Sequence, residues 1–258
     1  MRSHSNDTLH YYTFDSFPSH LLTHAIFGRQ GGVSPIPYDT LNMSTSTGDS
    51  LHNVRQNHAL ALGAMRLSSY ATATLWQVHK AKTIIVGDEP CDPSTKADAL
   101  VTDRPKVSLF LRFADCVPIM LVDPIREAIG IVHAGWRGTV RGVIQTAVRA
   151  MISEYGCRPD NIMAGIGPSI GPEHYNVGPD VAQAIELAFP DAHHIMTNRD
   201  GCLYLDLWTL TELALRECGV RSIESSRMCT ASNREQFFSH RAEHGSTGRF
   251  GAVIALQN

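Results

Sequence analysis

The chain has 258 residues, 43% of them hydrophobic and 18% charged, with a formal net charge of -3. That length and composition suffice to bury one large core without a second domain. The mild acidity and the lack of any Lys/Arg run exclude a general phosphate-backbone binder, so nucleic acid is not an expected partner.

The first ten residues, MRSHSNDTLH, hold no apolar stretch of the kind a signal peptide needs, and every later apolar run is interrupted well short of a membrane span. A soluble, cytoplasmic, single-domain protein over 1–258 is expected, with the first ~20 residues as a flexible lead-in. Residues 24–50 carry Gly31-Gly32, Pro35 and Pro37 with little periodicity and read as coil. Apolar residues at helical spacing, including Val54, Ala61 and Leu62, predict a helix over 51–67. Strand-like runs rich in β-branched and aliphatic residues follow at 71–78, 82–87, 106–113, 117–123 and 127–134. The stripe Val140, Val143, Ile144, Ala147, Val148, Met151 and Ile152 then predicts a helix that stops at Gly156. A strand and a glycine-punctuated loop occupy 161–178, Pro179-Asp180 opens another helix, Asp206 caps a helix over 207–217, and 249–256 closes the chain as a strand. Strands and helices without regular βαβ alternation indicate an α+β fold. Six scattered cysteines with no CxxC pair indicate reduced thiols.

Three soft ligands stand out: His79 in LWQVH, Cys116 in FADCVP and His133 in IVHAGWRG. Alone, each has a bland reading, since a histidine beside a strand is usually a hydrogen-bonded rim residue and a buried cysteine is usually a small hydrophobe. Together, at the ends of apolar runs and beside turn-forming residues, they point to a catalytic metal site. Two imidazoles and a thiolate can bind zinc, or copper, while leaving one coordination position open.

Other motifs weigh less. GRQGGVS lacks the spacing of a phosphate loop, although its amides could line an anion site. GIGPSIG is broken by Pro168 and followed by Pro172, which argues against a dinucleotide fingerprint. Arg137, Arg241 and Arg249 could grip a phosphate or merely pair with carboxylates. Phe237, Phe238 and Tyr175 could stack on a planar base or belong to the core. His193-His194 reads as a surface pair, and no GxSxG elbow supports a serine triad.

Several blocks, in order, resemble the YfiH-like family, variously called laccase-domain proteins, polyphenol oxidases or purine nucleoside phosphorylases. They are GRQGGVS with TLNMS, LWQVH, DALVTD, ADCVPIMLVDP, IGIVHAGWRGTV, GIGPSIGPEHYNVG, LDLW and FFSHRAEHGSTGRFGAVIAL, running from about Phe27 to the C-terminus. The resemblance implies layered mixed sheets flanked by helices, and His79, Cys116 and His133 as a zinc-binding catalytic triad. It further implies phosphorolysis of adenosine, inosine, guanosine or methylthioadenosine, deamination of adenosine, and, for some bacterial members, editing of peptidoglycan precursors. Gly28 and His174 depart from the family pattern, where Thr and Cys are usual.

The leading expectation is therefore a zinc-dependent purine nucleoside enzyme using phosphate or water, with Arg29, Asn42 and Phe238 contacting substrate and Asp115 supporting the ligands. A cysteine hydrolase with Cys116 as nucleophile, and a copper-dependent polyphenol oxidase, are the alternatives. The oxidase is the weaker of the two, because the 13 histidines include no HxH pairs. A metal-stabilised scaffold is a further reading, disfavoured because structural zinc is normally four-coordinate. The oligomeric state is not legible in the sequence.

Overall fold

A computed structural model describes residues 1–5 and 9–257. In chain order its strands are β1 (Arg2–Ser5), β2 (His10–Thr13), β3 (Leu22–Phe27), β4 (Ala71–Ala73), β5 (Thr83–Ile85), β6 (Ala99–Thr102), β7 (Val107–Phe113), β8 (Val117–Asp123), β9 (Ala128–Ala134), β10 (Met163–Ile166), β11 (Asn176–Val177), β12 (Met196–Arg199), β13 (Cys202–Leu205), β14 (Ser222–Ser225) and β15 (Phe250–Leu256). The α-helices are α1 (Leu51–Ala64), α2 (Trp136–Val140), α3 (Val143–Tyr155), α4 (Pro179–Ala188) and α5 (Leu207–Glu217).

Two six-stranded mixed sheets form the centre, in the orders β1-β2-β3-β15-β7-β4 and β14-β10-β8-β9-β6-β5, with a small β11-β13-β12 sheet beside them. The alternation of strand side chains sorts the apolar residues into layers. Leu109, Leu111 and Phe113 of β7 and Phe250, Ala252 and Ile254 of β15 meet Met120 and Val122 of β8 and Ile129 and Ile131 of β9 between the sheets. On the far side, Val117, Ile119, Leu121 and Val132 pack under Val143, Ile144, Ala147, Val148 and Met151 of α3 and Leu210 and Ala214 of α5. Phe110, Val253 and Ala255 turn the other way, against Ala61 of α1 and Leu41 and Met43. The result is helix, sheet, sheet, helices: the layered α+β arrangement expected.

Local signals explain where elements begin and end. Ser50 accepts the N–H of Asn53 at the start of α1, and Asp206 accepts the N–H of Thr209 at the start of α5. The predicted helix after Gly138 is two helices, because Gly142 adopts φ +86 between them and breaks the ladder.

The N-terminal expectations need correction. Residues 6–8 of the supposed flexible lead-in lie outside the described residues, but the rest is tied down. β1 pairs with β2, β2 pairs with β3, Phe14 and Phe17 enter the inter-sheet core, and Glu224 accepts the N–H groups of Asp15 and Ser16. The stretch read as coil from residue 24 begins inside β3, whose neighbour on one side is β15. The 71–78 run forms only a three-residue strand before the chain leaves the sheet, and that departure carries His79 to the site.

Candidate functional site

β8 and β9 are antiparallel neighbours with Val117 opposite Ala134, so the entry to one strand and the exit from the other lie together. Cys116 immediately precedes β8. His133 stands near the end of β9, on the face turned towards the first sheet, where it meets the Phe113 ring at 5.6 Å between centroids. His79 arrives from the loop between β4 and β5. The three ligand atoms lie within 4.8 Å of one another, with Cys116 Sγ 3.8 Å from His79 Nε2 and the imidazole rings at 74°.

The group that orders this arrangement is Asp98, at the head of β6 and completely buried. Its carboxylate accepts the backbone N–H groups of Val78, His79 and Lys80 and contacts His133 Nδ1 at 2.8 Å. With Nδ1–H donated to Asp98, His133 has only Nε2 left for a ligand. Burial opposes ionisation of Asp98, but His133 and the donated N–H groups outweigh it and hold the carboxyl below its ordinary pKa. The same contacts restrain His79 in the left-handed region, at φ 58, and Arg141 Nη1 donates to the His79 carbonyl from the end of α2.

Cys116 and His133 polarise each other. Burial disfavours both charges, yet the imidazole pulls the thiol well below its usual pKa, and the thiolate with Asp98 raises that of His133. Gly135 leaves the approach open: a Cβ there would stand 2.8 Å from Cys116 Sγ and 3.2 Å from His79 Cδ2. Two imidazole nitrogens and an acidified thiol around a cradle kept clear by a glycine suit a zinc-type ion. Glu173, His174 and Cys229 form the second such group among the described residues, but His174 Nε2 contacts Ser232 Oγ at 2.9 Å and Cys229 Sγ accepts the Gly171 N–H.

The triad opens into a cavity of about 480 Å³, within the range of sites for small organic molecules. Trp76, Trp136 and Tyr175 provide aromatic wall, and Arg137, Arg241 and Arg249 provide charge. Of the aromatics considered from sequence, Tyr175 reaches the cavity, whereas Phe237 and Phe238 are completely buried.

The expected substrate contacts lie elsewhere. Arg29 is buried, stacks on Phe238 at 4.4 Å, and spends its guanidinium on Asp39, Glu243 and the Arg234 carbonyl. It borders a wider depression of about 950 Å³ that contains none of the triad. Asn42 is completely buried; it donates to the Ser44 carbonyl, Thr47 and Asp49 and accepts the N–H of Arg249. Neither these two nor Phe238 lines the cavity that holds the triad. Asp115 is likewise an anchor, not the orienter of the ligands: at φ 84, it accepts from Thr230, Ser239 and the N–H of Arg241, pinning the segment that carries the arginines.

Sequence reasoning missed Asp98, Trp76 and Trp136 as parts of the site. The signal for Asp98 was a carboxylate heading a wholly buried strand, where a charge survives only with dedicated donors.

A family model described as multi-copper polyphenol oxidoreductase laccase matches residues 23–257. The chain is 36% identical to a protein of Deinococcus radiodurans named purine nucleoside phosphorylase, over 93% of this chain and 91% of that one. It is 32% identical to the Escherichia coli protein named purine nucleoside phosphorylase YfiH, over 88% and 91% of the two chains. Among solved structures, YlmD from Geobacillus stearothermophilus superimposes with a TM-score of 0.92 at 30% identity, covering 99% of this chain and 98% of that one. YfiH from Bacillus licheniformis gives a TM-score of 0.86 at 32% identity, covering 92% and 93%. With the family model spanning nearly the whole sequence and both fold and sequence following these relatives end to end, the chain belongs to the YfiH family of laccase-domain proteins.

Proposed function

We propose that this protein is a metal-dependent purine nucleoside phosphorylase that also deaminates adenosine. The observation that carries the reading is the position of His79, Cys116 and His133 at the base of an aromatic- and arginine-walled cavity. The relatives' names as purine nucleoside phosphorylases support the substrate class. The candidate nucleosides are adenosine, inosine, guanosine and methylthioadenosine.

Zinc held by His79 Nε2, Cys116 Sγ and His133 Nε2 would supply a Lewis acid there. The protein's own part is orientation. Asp98 fixes the His133 ring, Trp76, Trp136 and Tyr175 offer faces for a purine, and the arginines favour an anionic co-substrate. In phosphorolysis a phosphate oxygen bonds to C1′ as the C1′–N9 bond breaks, and the base leaves with its electron pair and takes up a proton. In deamination a water oxygen replaces the C6 amino group, which leaves as ammonia.

The test is product analysis on metal-loaded protein given adenosine and phosphate. Adenine with ribose 1-phosphate, and inosine with ammonia, are the expected products; neither appearing would sink the reading. Cys116→Ser nearly preserves volume but exchanges a ready thiolate for a hydroxyl. It should stay folded by circular dichroism, carry well under one ion per chain, and lose turnover by orders of magnitude. Parent-like metal content and turnover in that variant would remove the triad from the chemistry.

One observation favours a second reading: the acidified Cys116 thiol beside His133, itself backed by Asp98, has the order of a cysteine hydrolase. Amide substrates, such as peptidoglycan precursors, would then be cleaved by the metal-free protein. Activity on them that survives or rises after chelation supports this route, and activity abolished by chelation and restored by zinc rejects it.

A further inference from the structure

We propose that the cavity contains a phosphate-dianion subsite formed by Arg137, Arg241 and Arg249, an inference that rests on the phosphorolysis reading and locates its anionic reactant. The first observation is uncompensated charge. Among the described residues, none of these three arginines forms an ion pair, whereas Arg29, on the other side of the wall, forms two. The cavity's one lining carboxylate, Asp115, already accepts from Thr230, Ser239 and the Arg241 backbone.

The second observation is how the guanidinium groups are held. Arg241 lies over Tyr175 at 5.0 Å and donates from Nη1 to Asn176, while Arg249 donates from Nη1 to the carbonyls of Thr247 and Gly248. Arg249 Nη2 reaches only His240 Nδ1, at 3.4 Å. Arg137 lies over Trp136 at 4.6 Å, and its guanidinium makes no hydrogen bond to the described residues. Neutral acceptors and aromatic faces thus fix these cations without neutralising them, and each keeps donors for a ligand. Arg112, also on the wall, is excluded because Gln77 and the Leu75 carbonyl occupy its guanidinium.

Three planar forks around one space suit a tetrahedral dianion better than a carboxylate, which offers only two oxygens to bidentate donors. Burial presses against the charge of Arg249, and Cys116 and Asp115 sustain it, as fits a cation kept desolvated for an anion. The shared chemistry is a phosphate group, either free or carried on the substrate.

The experiment is calorimetric titration of inorganic phosphate into metal-loaded protein, without turnover, for the parent and for Arg137→Gln, Arg241→Gln and Arg249→Gln. Each substitution should weaken phosphate binding roughly tenfold, the value of one charge-assisted hydrogen bond. Inosine binding without phosphate should weaken less than phosphate binding does, since neutral sugar and base make no such bond. Because the Arg137 guanidinium donates to none of the described residues, its variant keeps the test valid if Arg249→Gln misfolds. Phosphate affinity indifferent to all the substitutions in folded protein overturns the subsite. Inosine and phosphate binding together would identify the free anion as the natural occupant. A nucleoside 5′-monophosphate that excludes phosphate, and is weakened by the same substitutions, would place the group on the substrate and support the subsite equally. Tight, arginine-dependent phosphate binding with no phosphorolysis would retain the subsite and reject the activity.

Discussion

Asp98 concentrates more of the site's order in one side chain than any ligand does. It holds three successive amides of the loop that brings His79 and fixes the Nδ1 edge of His133, so both imidazoles are aimed by a residue that offers nothing to the cavity. Asp98→Asn should lower metal affinity by about 10–100-fold, as loss of a ligand's carboxylate partner does elsewhere. It should also cost on the order of 3 kcal/mol of stability, because an amide NH2 would face buried donors. Competition with a chromophoric chelator and urea unfolding give the two numbers; parent-like metal affinity would show that His133 needs no orienter. The three soft donors stood out in the sequence because each flanks an apolar run, and the fold does bring their donor atoms within 4.8 Å of one another. Arg29, Asn42 and Phe238 could not be placed, since a guanidinium or amide that binds substrate and one that binds Asp39 or Ser44 look identical until the chain folds.

At the scale of elements, the junction of β9 with α2 does the positioning. The strand delivers His133, Gly135 caps the helix in extended conformation at φ -81, and α2 then presents Trp136 and Arg137 to the cavity. Alanine is allowed at that backbone angle, so Gly135→Ala isolates the effect of one methyl group beside the thiol. Over-packing of this size costs about 1–3 kcal/mol, and here it falls between Cys116 and His79. The expected result is a modest fall in melting temperature with a large loss of bound metal and turnover; full metal loading in the variant would mean the cradle has slack. Helix boundaries were legible where a cap announces them, as at Asp206 and Gly156. β1 and β2 were not, because short, largely polar strands carry weak alternation, and β3 was not, because its place in the sheet depends on β15, far along the chain.

Across the whole molecule, stability should fall in mild acid through His24. Its ring is buried against Phe14 and Phe17, and its Nε2 accepts the N–H of Phe14 at 2.7 Å, which requires the neutral form. Burial lowers its pKa from 6.5 to about 4. The unfolded chain therefore binds more protons between those values; the contribution is complete above 6.5 and lost as pH falls through about 4. The loss is about 3 kcal/mol at its limit. Urea midpoints at pH 7.5, 6 and 4.5 should decline, with a shallower decline in His24→Gln, and parallel profiles would assign the acid sensitivity to other groups.

The α+β class was legible from the pattern of apolar runs and the layering followed from the family resemblance, but the order of strands was not legible. β15 lies between β3 and β7, joining residues 22–27 to residues 250–256 in the middle of the first sheet. On a ribosome, both neighbours of that gap are made long before the strand that fills it. The arginine-bearing arm leading into β15 is equally late, so the nascent chain can close neither the sheet nor the pocket until synthesis has passed residue 256. Until then β3 and β7 each present an unpaired edge, the kind of surface on which one chain pairs wrongly with another.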